Sequence, residues 1–219
     1  MFSQAVFLMI LFMTKKFLLY PDSYLTISEL EKQIPFTYVH QIAFENDEDH
    51  QEIHRRGLEK YEQGDVSAKA LELGEKYIDK ILEGYIPEVS VRFVGDKVGY
   101  GLFAEENIPK GGYVGEYTGI VHRNDRRYFE PINDYYFEYP VPDEIGRSFV
   151  INALQGNLTR FINHCNQPNL KPIHIFHGGY YHLIFLAKHD IKVGEQLHFD
   201  YGQSYWYVRE PPETLANLP

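Results

Sequence analysis

The side chains able to do chemistry gather in two short segments. The first is Arg160-Phe161-Ile162-Asn163-His164-Cys165-Asn166-Gln167-Pro168-Asn169, and the second is Gly194-Glu195-Gln196-Leu197-His198-Phe199-Asp200-Tyr201-Gly202. Between them they offer a guanidinium, carboxamides, an imidazole, a carboxylate and a phenol. Such groups hold and orient a polar ligand, and a phenol oxygen both donates and accepts hydrogen bonds. A lone histidine in a mostly apolar stretch is ordinarily structural, and each of 18 tyrosines is by itself a packing residue. A third segment, Gly99-Tyr100-Gly101-Leu102-Phe103-Ala104, formally matches the dinucleotide fingerprint G-x-G-x-x-A. That fingerprint must open a long helix, yet Pro109, Lys110, Gly111 and Gly112 follow at once. A tight β turn is the better reading of these residues. His174, His177 and His182 do not read as a metal site, because no acidic or thiol ligand recurs at metal spacing. His50 and His54, one helical turn apart, read as a solvated face.

The chain that must position these groups has 219 residues, 44% of them hydrophobic, enough for one domain with an appendage. A formal net charge of -10 argues against direct nucleic-acid binding and suits a basic protein partner. Cys165 is the single cysteine, so no internal disulfide forms and a multi-cysteine zinc site is excluded. Residues 1–13 carry an apolar run from Ala5 to Met13, shorter than the ~20 residues a membrane span needs. The run lacks a basic flank before it, and Lys15 and Lys16 follow it. It reads as a start assigned upstream of Met13, as an export signal, or as a segment packed on the body.

The pattern divides near Pro87. Residues 14–87 read as a mostly helical region, with a helix start at Ser28 that ends before Pro35. Residues 48–63 are charged with sparse apolar positions. Asp65 is placed to cap a further helix through Gly84, on which Leu71, Tyr77, Ile78, Ile81 and Leu82 recur at helical spacing. From Val89 the pattern becomes short β runs: Val89 to Val94, Leu102 to Ala104, Tyr113 to Val121, Tyr135 to Tyr139, Ser148 to Asn152 and Tyr180 to Ala187. Gly111-Gly112, Pro140, Pro142 and Gly178-Gly179 punctuate them. Residues 88–203 thus form a mostly β domain, and residues 204–219 an aromatic and proline-rich flank.

The two segments resemble the signature motifs of the SET-domain protein lysine methyltransferases, R-F-I-N-H-S-C-x-P-N and G-E-E-L-x-F-D-Y-G. Further pieces follow in family order from Val89 to Trp206: Gly99-Tyr100-Gly101, then Gly115-Glu116-Tyr117-Thr118-Gly119, which is similar to G-E-Y-x-G, then Asp134-Tyr135-Tyr136-Phe137 and Gly156-Asn157. The resemblance implies a mostly β fold of several small sheets with a pseudoknot, preceded here by the helical region. It implies S-adenosyl-L-methionine as cofactor, held by Gly99, Tyr100, Gly101, Tyr117, Arg160, Asn163, His164 and Trp206. It implies Tyr201 and Tyr135 as catalytic residues, and Phe199, Tyr135 and Tyr205 as walls of a lysine channel. Phe, rather than Tyr, at position 199 implies di- or trimethyl-lysine as product.

The chain departs from the family pattern in three places. Cys165-Asn166 replaces Ser-Cys, and no later cysteine exists, so a zinc-closed lid is absent. Tyr205, Trp206 and Tyr207 are the residues placed to cover the channel instead. Asn152 stands where many members have Asp. The compact, zinc-free layout looks like the SET proteins of intracellular bacteria, the chlamydial type. That implies a histone or histone-like substrate, and a place in the bacterial cytoplasm or, after secretion, in a host nucleus. Asp134, Glu138, Asp143 and Glu144 would offer an acidic surface for such a tail. A homodimer completing the site is compatible with the pattern. Two other readings stay open: a non-catalytic SET-fold module that binds lysine-rich tails, and a lysine methyltransferase with a non-histone target.

Overall fold

The computed structural model describes residues 16–19, 23–124, 133–143, 145–207 and 209. The apolar segment 1–13 and Glu144 lie outside them. The N-terminal region begins with two short strands, β1 (Lys16–Leu19) and β2 (Ser23–Thr26). Helix α1 (Ile27–Gln33) starts at Thr26 rather than at Ser28. Thr26 Oγ1 accepts from the Glu29 amide, and the Glu29 carboxylate accepts from the Thr26 amide at 2.8 Å. This reciprocal cap satisfies two amides that a helix end leaves open. Ile34 is extended because the ring of Pro35 disfavours the helical conformation before it. Strands β3 (Thr37–Tyr38) and β4 (Ala43–Phe44) follow, then α2 (Asp47–Glu62) and α3 (Ala68–Leu82). The cap of α3 is Ser67, whose hydroxyl accepts from the Ala70 amide at 3.1 Å, and not Asp65.

Beyond Pro87 the chain is built of strands: β5 (Val89–Gly95), β6 (Gly99–Ala104), β7 (Tyr113–Glu116), β8 (Ile120–Arg123), β9 (Tyr136–Tyr139), β10 (Phe149–Asn152) and β11 (Gln155–Gly156). A 3₁₀ turn over Leu158–Phe161 leads to β12 (Asn163–His164). The hairpin β13 (Leu170–His177) and β14 (Tyr180–Ala187) precedes β15 (His198–Phe199) and a single helical turn, α4 (Gln203–Trp206). The run expected over Tyr113–Val121 is two strands: the first pairs with β14, where the Tyr117 amide still donates to the Leu183 carbonyl at 2.7 Å, and the second pairs with β10 in another sheet.

The strands form five small sheets, in the orders β2-β1-β5-β6, β4-β8-β10-β9, β11-β3, β12-β15 and β13-β14-β7. The N-terminal region is therefore not purely helical. Its strands β1, β3 and β4 pair in parallel with β5, β11 and β8. Helix α3 buries Leu73, Tyr77 and Ile81 against Tyr113, Ile175 and Ile184. Gly74 permits that approach, since a Cβ there would stand 2.0 Å from the Phe176 carbonyl oxygen. No helix among the described residues is long and apolar enough to cross a membrane.

Candidate active site

The two segments that the sequence singles out lie side by side. β12 pairs in parallel with β15, placing Asn163 opposite His198 and His164 opposite Phe199. The Cys165 amide donates to the Phe199 carbonyl at 3.2 Å. Asn169 fixes the register from the far end of the first segment. Its Nδ2 donates to the Gln196 carbonyl and its Oδ1 accepts from the His198 amide, both at 2.8 Å. Two-residue strands have few ladder bonds, so this buried carboxamide supplies what the backbone alone lacks.

His164 is buried between these segments. The Tyr201 amide donates to its Nδ1 at 3.2 Å, which makes Nδ1 the acceptor. The proton then sits on Nε2, which faces Asn166 Oδ1 at 3.1 Å. Trp206 packs edge-on against the same ring at 4.9 Å between centroids. Asn163 Nδ2 donates to the Tyr100 carbonyl at 3.1 Å. That bond draws the Gly99-Tyr100-Gly101 segment onto the first motif. Gly101 has no side chain, and a Cβ there would come 2.4 Å from Gln196 Nε2 and 3.1 Å from Asn163 Nδ2. The structure so brings Tyr100 and Gly101 onto Asn163, and His164 and Trp206 onto Tyr201.

The side chain of Tyr201 points into a second group. Its hydroxyl donates to the Ile162 carbonyl at 3.0 Å. Burial pushes the phenol well above its ordinary pKa, so the hydroxyl stays protonated. With its proton committed to Ile162, the oxygen presents lone pairs to the space beside it. That space is a cavity of ≈ 370 Å³, its open mouth included, lined by Tyr117, Asp134, Tyr135, Tyr136, Phe137, Arg160, Ile162, Phe199, Tyr201 and Tyr205. Phe199, 6% exposed, packs on Phe185 and Tyr201 with centroids 5.1 and 4.7 Å apart. Tyr205 stands across from it, 4.6 Å from the Tyr201 ring. Tyr117 closes the inner side and donates its hydroxyl to the Tyr135 carbonyl at 2.9 Å.

Charge in this cavity is arranged from inside to outside. Arg160 is only 7% exposed; its Nε donates to the Ala153 carbonyl at 2.7 Å, and its guanidinium carbon lies 4.1 Å from the Tyr135 ring centroid. Burial lowers its pKa, yet a guanidinium remains charged. Arg160 thus belongs to the wall of the aromatic cavity, alongside Phe36 from the N-terminal region at 5.3 Å. Asp134, with 58% of its side chain exposed, is the only carboxylate among the lining residues. Asp134 is itself paired with Arg209, so the buried guanidinium of Arg160 is what sets the interior against a cation.

A buried scaffold fixes these walls. Asn157 accepts at Oδ1 from the Thr159 amide at 3.0 Å and donates from Nδ2 to the Glu116 carbonyl at 2.9 Å. Its amide donates to Thr118 Oγ1, which in turn donates to the Val39 carbonyl at 2.6 Å. Asn152 has a structural part. Its Oδ1 accepts from Asn133 Nδ2 and from the Leu154 amide, both at 3.0 Å, while Asn133 Oδ1 accepts from the Tyr135 amide at 2.9 Å. Sequence reasoning missed Phe36, Asn133 and Arg209, which bonds to Asp134 at 2.6 Å. A basic residue closing an aromatic run was the only signal for the last.

Two expectations are corrected. Asp143 is not part of a tail-binding surface, because it is buried and bonded by Arg123 at 3.0 Å and Arg147 at 2.6 Å. His50 and His54 are not a solvated face. His50 stacks on Phe44 at 4.3 Å and hydrogen-bonds the Tyr180 hydroxyl at 2.7 Å, while His54 stacks on the Tyr180 ring at 4.8 Å, so the pair docks α2 on β14. His182 is committed to the buried Glu116 carboxylate at 2.6 Å.

Comparison with known proteins places this geometry in a family. Residues 99–202 match the model of the SET domain. Over 116 residues the chain is 37% identical to histone-lysine N-methyltransferase EZH2 of Chaetomium thermophilum, a match that covers 49% of this chain and 8% of that protein. Over 117 residues it is 33% identical to histone-lysine N-methyltransferase EHMT1 of Mus musculus, covering 51% and 9%. The chain spans less than a tenth of the length of these two relatives. The crystal structure of ATXR5 in complex with histone H3.1 superposes with a TM-score of 0.61 over 80% of this chain and 85% of that one, at 19% identity, which speaks to the fold alone. Two signature segments paired as β12 and β15, a matching family model and a shared fold agree that residues 99–202 constitute a SET domain.

Proposed function

We propose that this chain transfers methyl groups from S-adenosyl-L-methionine to the side-chain amine of lysine in a basic, histone or histone-like protein. The observation that carries the reading is the position of the Tyr201 hydroxyl, anchored on the Ile162 carbonyl and set in an aromatic cavity beside the Asn163-His164 turn. The cofactor, when bound, supplies a methyl on a positively charged sulfonium. Residues fit it where the Gly99-Tyr100-Gly101 backbone lies against the Asn163 carboxamide and where the His164 imidazole accepts from the Tyr201 amide. Asn163, the backbone of His164 and the Gly99-Tyr100-Gly101 segment are the groups that would hold it.

The chain's own residues then have three tasks. The first is to admit the amine uncharged. Free lysine has a pKa near ~10.4, and an aromatic cavity with a buried guanidinium lowers it by desolvation and by repulsion. Arg160 in the wall disfavours the ammonium form as the side chain advances. The second task is alignment, which needs reacting atoms within about 3–3.5 Å. The rings of Tyr135, Phe199 and Tyr205 restrict the lysine stem, and the Tyr201 oxygen orients the amine and accepts weak C–H···O contacts from the methyl. The third is room for the product. Phe199 puts no hydroxyl into the cavity, which supports di- or trimethylation.

The test is incubation of the purified chain with labelled S-adenosyl-L-methionine and mixed histones, beside Tyr201→Phe, read by mass spectrometry on lysine. Di- or trimethyl-lysine from the wild-type chain alone is the expected result. Cofactor binding without transfer to any histone would instead favour a module that binds lysine-rich tails, or a non-histone target.

A further inference from the structure

α4 has little of its own to hold it. It is a single turn with no buried residue and no side-chain cap, and so short a helix is not stable in isolation. Yet it carries Tyr205, one wall of the cavity, and Trp206, which packs on His164. Arg209 supplies the missing restraint. Its Nε donates to Asp134 Oδ1 at 2.6 Å, its Nη1 to the Tyr205 carbonyl at 2.9 Å and its Nη2 to the Asn133 carbonyl at 3.0 Å. The guanidinium carbon also lies 4.0 Å from the centroid of the Tyr205 ring. Asn133 and Asp134 lead directly into Tyr135, so one planar fork joins two opposite walls of the cavity. Exposed ion pairs usually contribute little, but the Arg209 side chain is only 16% exposed and every edge of its fork is used.

We propose that Arg209 and Asp134 form a latch that holds α4 across the cavity mouth and makes Arg209 a positioning residue for Tyr205. The inference rests on the reading of this cavity as the lysine channel. The latch is a bond between the C-terminal flank and the segment before β9. It is built on a partly exposed carboxylate, so salt weakens it.

Trp206 is the sole tryptophan of the chain and reports on α4 without any turnover. The experiment measures acrylamide quenching of its fluorescence in the full chain, in Arg209→Ala, Asp134→Asn, the double variant and Arg209→Lys. The latch predicts that Arg209→Ala raises the quenching constant about twofold, that Asp134→Asn raises it by less, and that the double variant adds nothing beyond Arg209→Ala, because the Asp134 contact is already lost with the arginine. Arg209→Lys falls between, since an ammonium keeps the ion pair but cannot serve both carbonyls. In the transferase assay the KM for the protein substrate rises about tenfold in Arg209→Ala, while S-adenosyl-L-methionine affinity changes less than about twofold. Unchanged quenching in both single variants, or additive effects in the double, overturns the latch. A wild-type chain with no transferase activity overturns the positioning role, and quenching alone then decides whether the latch exists.

Discussion

Tyr201→Phe removes one oxygen and leaves the ring. The ring contacts with Tyr205, Phe199 and His164 remain, at 4.6, 4.7 and 5.4 Å between centroids. What is lost is the bond to the Ile162 carbonyl, in a residue only 1% exposed. A buried carbonyl left without its donor costs about 1–2 kcal/mol. For a chain of this size that lowers the melting temperature by about 2–6 °C, leaving a folded protein at 25 °C. The effect on turnover is expected to be far larger. On the proposed reading the oxygen orients the amine and faces the methyl, and a misplacement near 1 Å costs about 100-fold. Steady-state assays with labelled cofactor should show kcat down about 100-fold or more, with the KM for the protein substrate within about threefold of wild type. A kcat within about fivefold of wild type, in a variant that melts as expected, would refute the assignment of Tyr201. A melting temperature lower by more than about 10 °C would recast the residue as structural.

Other perturbations test other parts of the same account. Phe199→Tyr places a hydroxyl in the cavity and is expected to shift the product toward monomethyl-lysine; unchanged di- and trimethyl yields by mass spectrometry would detach Phe199 from product control. Arg123 is bonded by Asp49, Glu52 and Asp143, with side-chain exposures of 4%, 13% and 2%. Arg123→Met leaves the buried Asp49 carboxylate without its cation, while Asp143 keeps Arg147, and should cost about 3 kcal/mol in urea unfolding. Burial raises the phenol pKa of Tyr113, Tyr117, Tyr139 and Tyr201 in the folded chain above the value near ~10 of the unfolded one. Below that pH both states keep the proton, and above it only the unfolded state releases it, so stability should fall as pH rises past about 10. Urea midpoints that are equal at about pH 9 and pH 11 would contradict this.

The hairpin of β13 and β14 shows why some elements were legible and others were not. Tyr180 to Ala187 is apolar enough to read as a strand, and Gly178 and Gly179, both at positive φ, mark the turn before it. Its partner β13 was missed because Pro172 interrupts the run. β13 is the edge of its sheet, where a residue without an amide proton is tolerated. β3, β4, β11, β12 and β15 are two residues each and have no periodicity to detect. They exist because distant segments pair, and local pattern carries no record of that. Helix α3 was legible through its apolar spacing and α1 through its start and the proline after it, while both starts slipped by two residues because Thr26 and Ser28, or Asp65 and Ser67, are equally good caps.

The site divides along the same physical line. Tyr201, Phe199, Asn163 and His164 sit inside two dense motifs, so their types and order announced them. Arg160 stands in the same motif, yet its position in the aromatic wall depends on Phe36 and Tyr135, which reach it from two other parts of the chain. Asn133, Asn152 and Arg209 act through hydrogen bonds whose partners lie up to 76 residues away. A carboxamide or a guanidinium in a polar stretch looks the same whether it is solvated or bonded. Only the fold brings the Asn133 carbonyl under the Arg209 fork. Residues that touch substrate are therefore confined to a few types at fixed spacing, whereas those that hold the walls are free to come from anywhere the chain passes. The first kind is written in the sequence as motif, and the second becomes visible when β9, β10 and α4 meet.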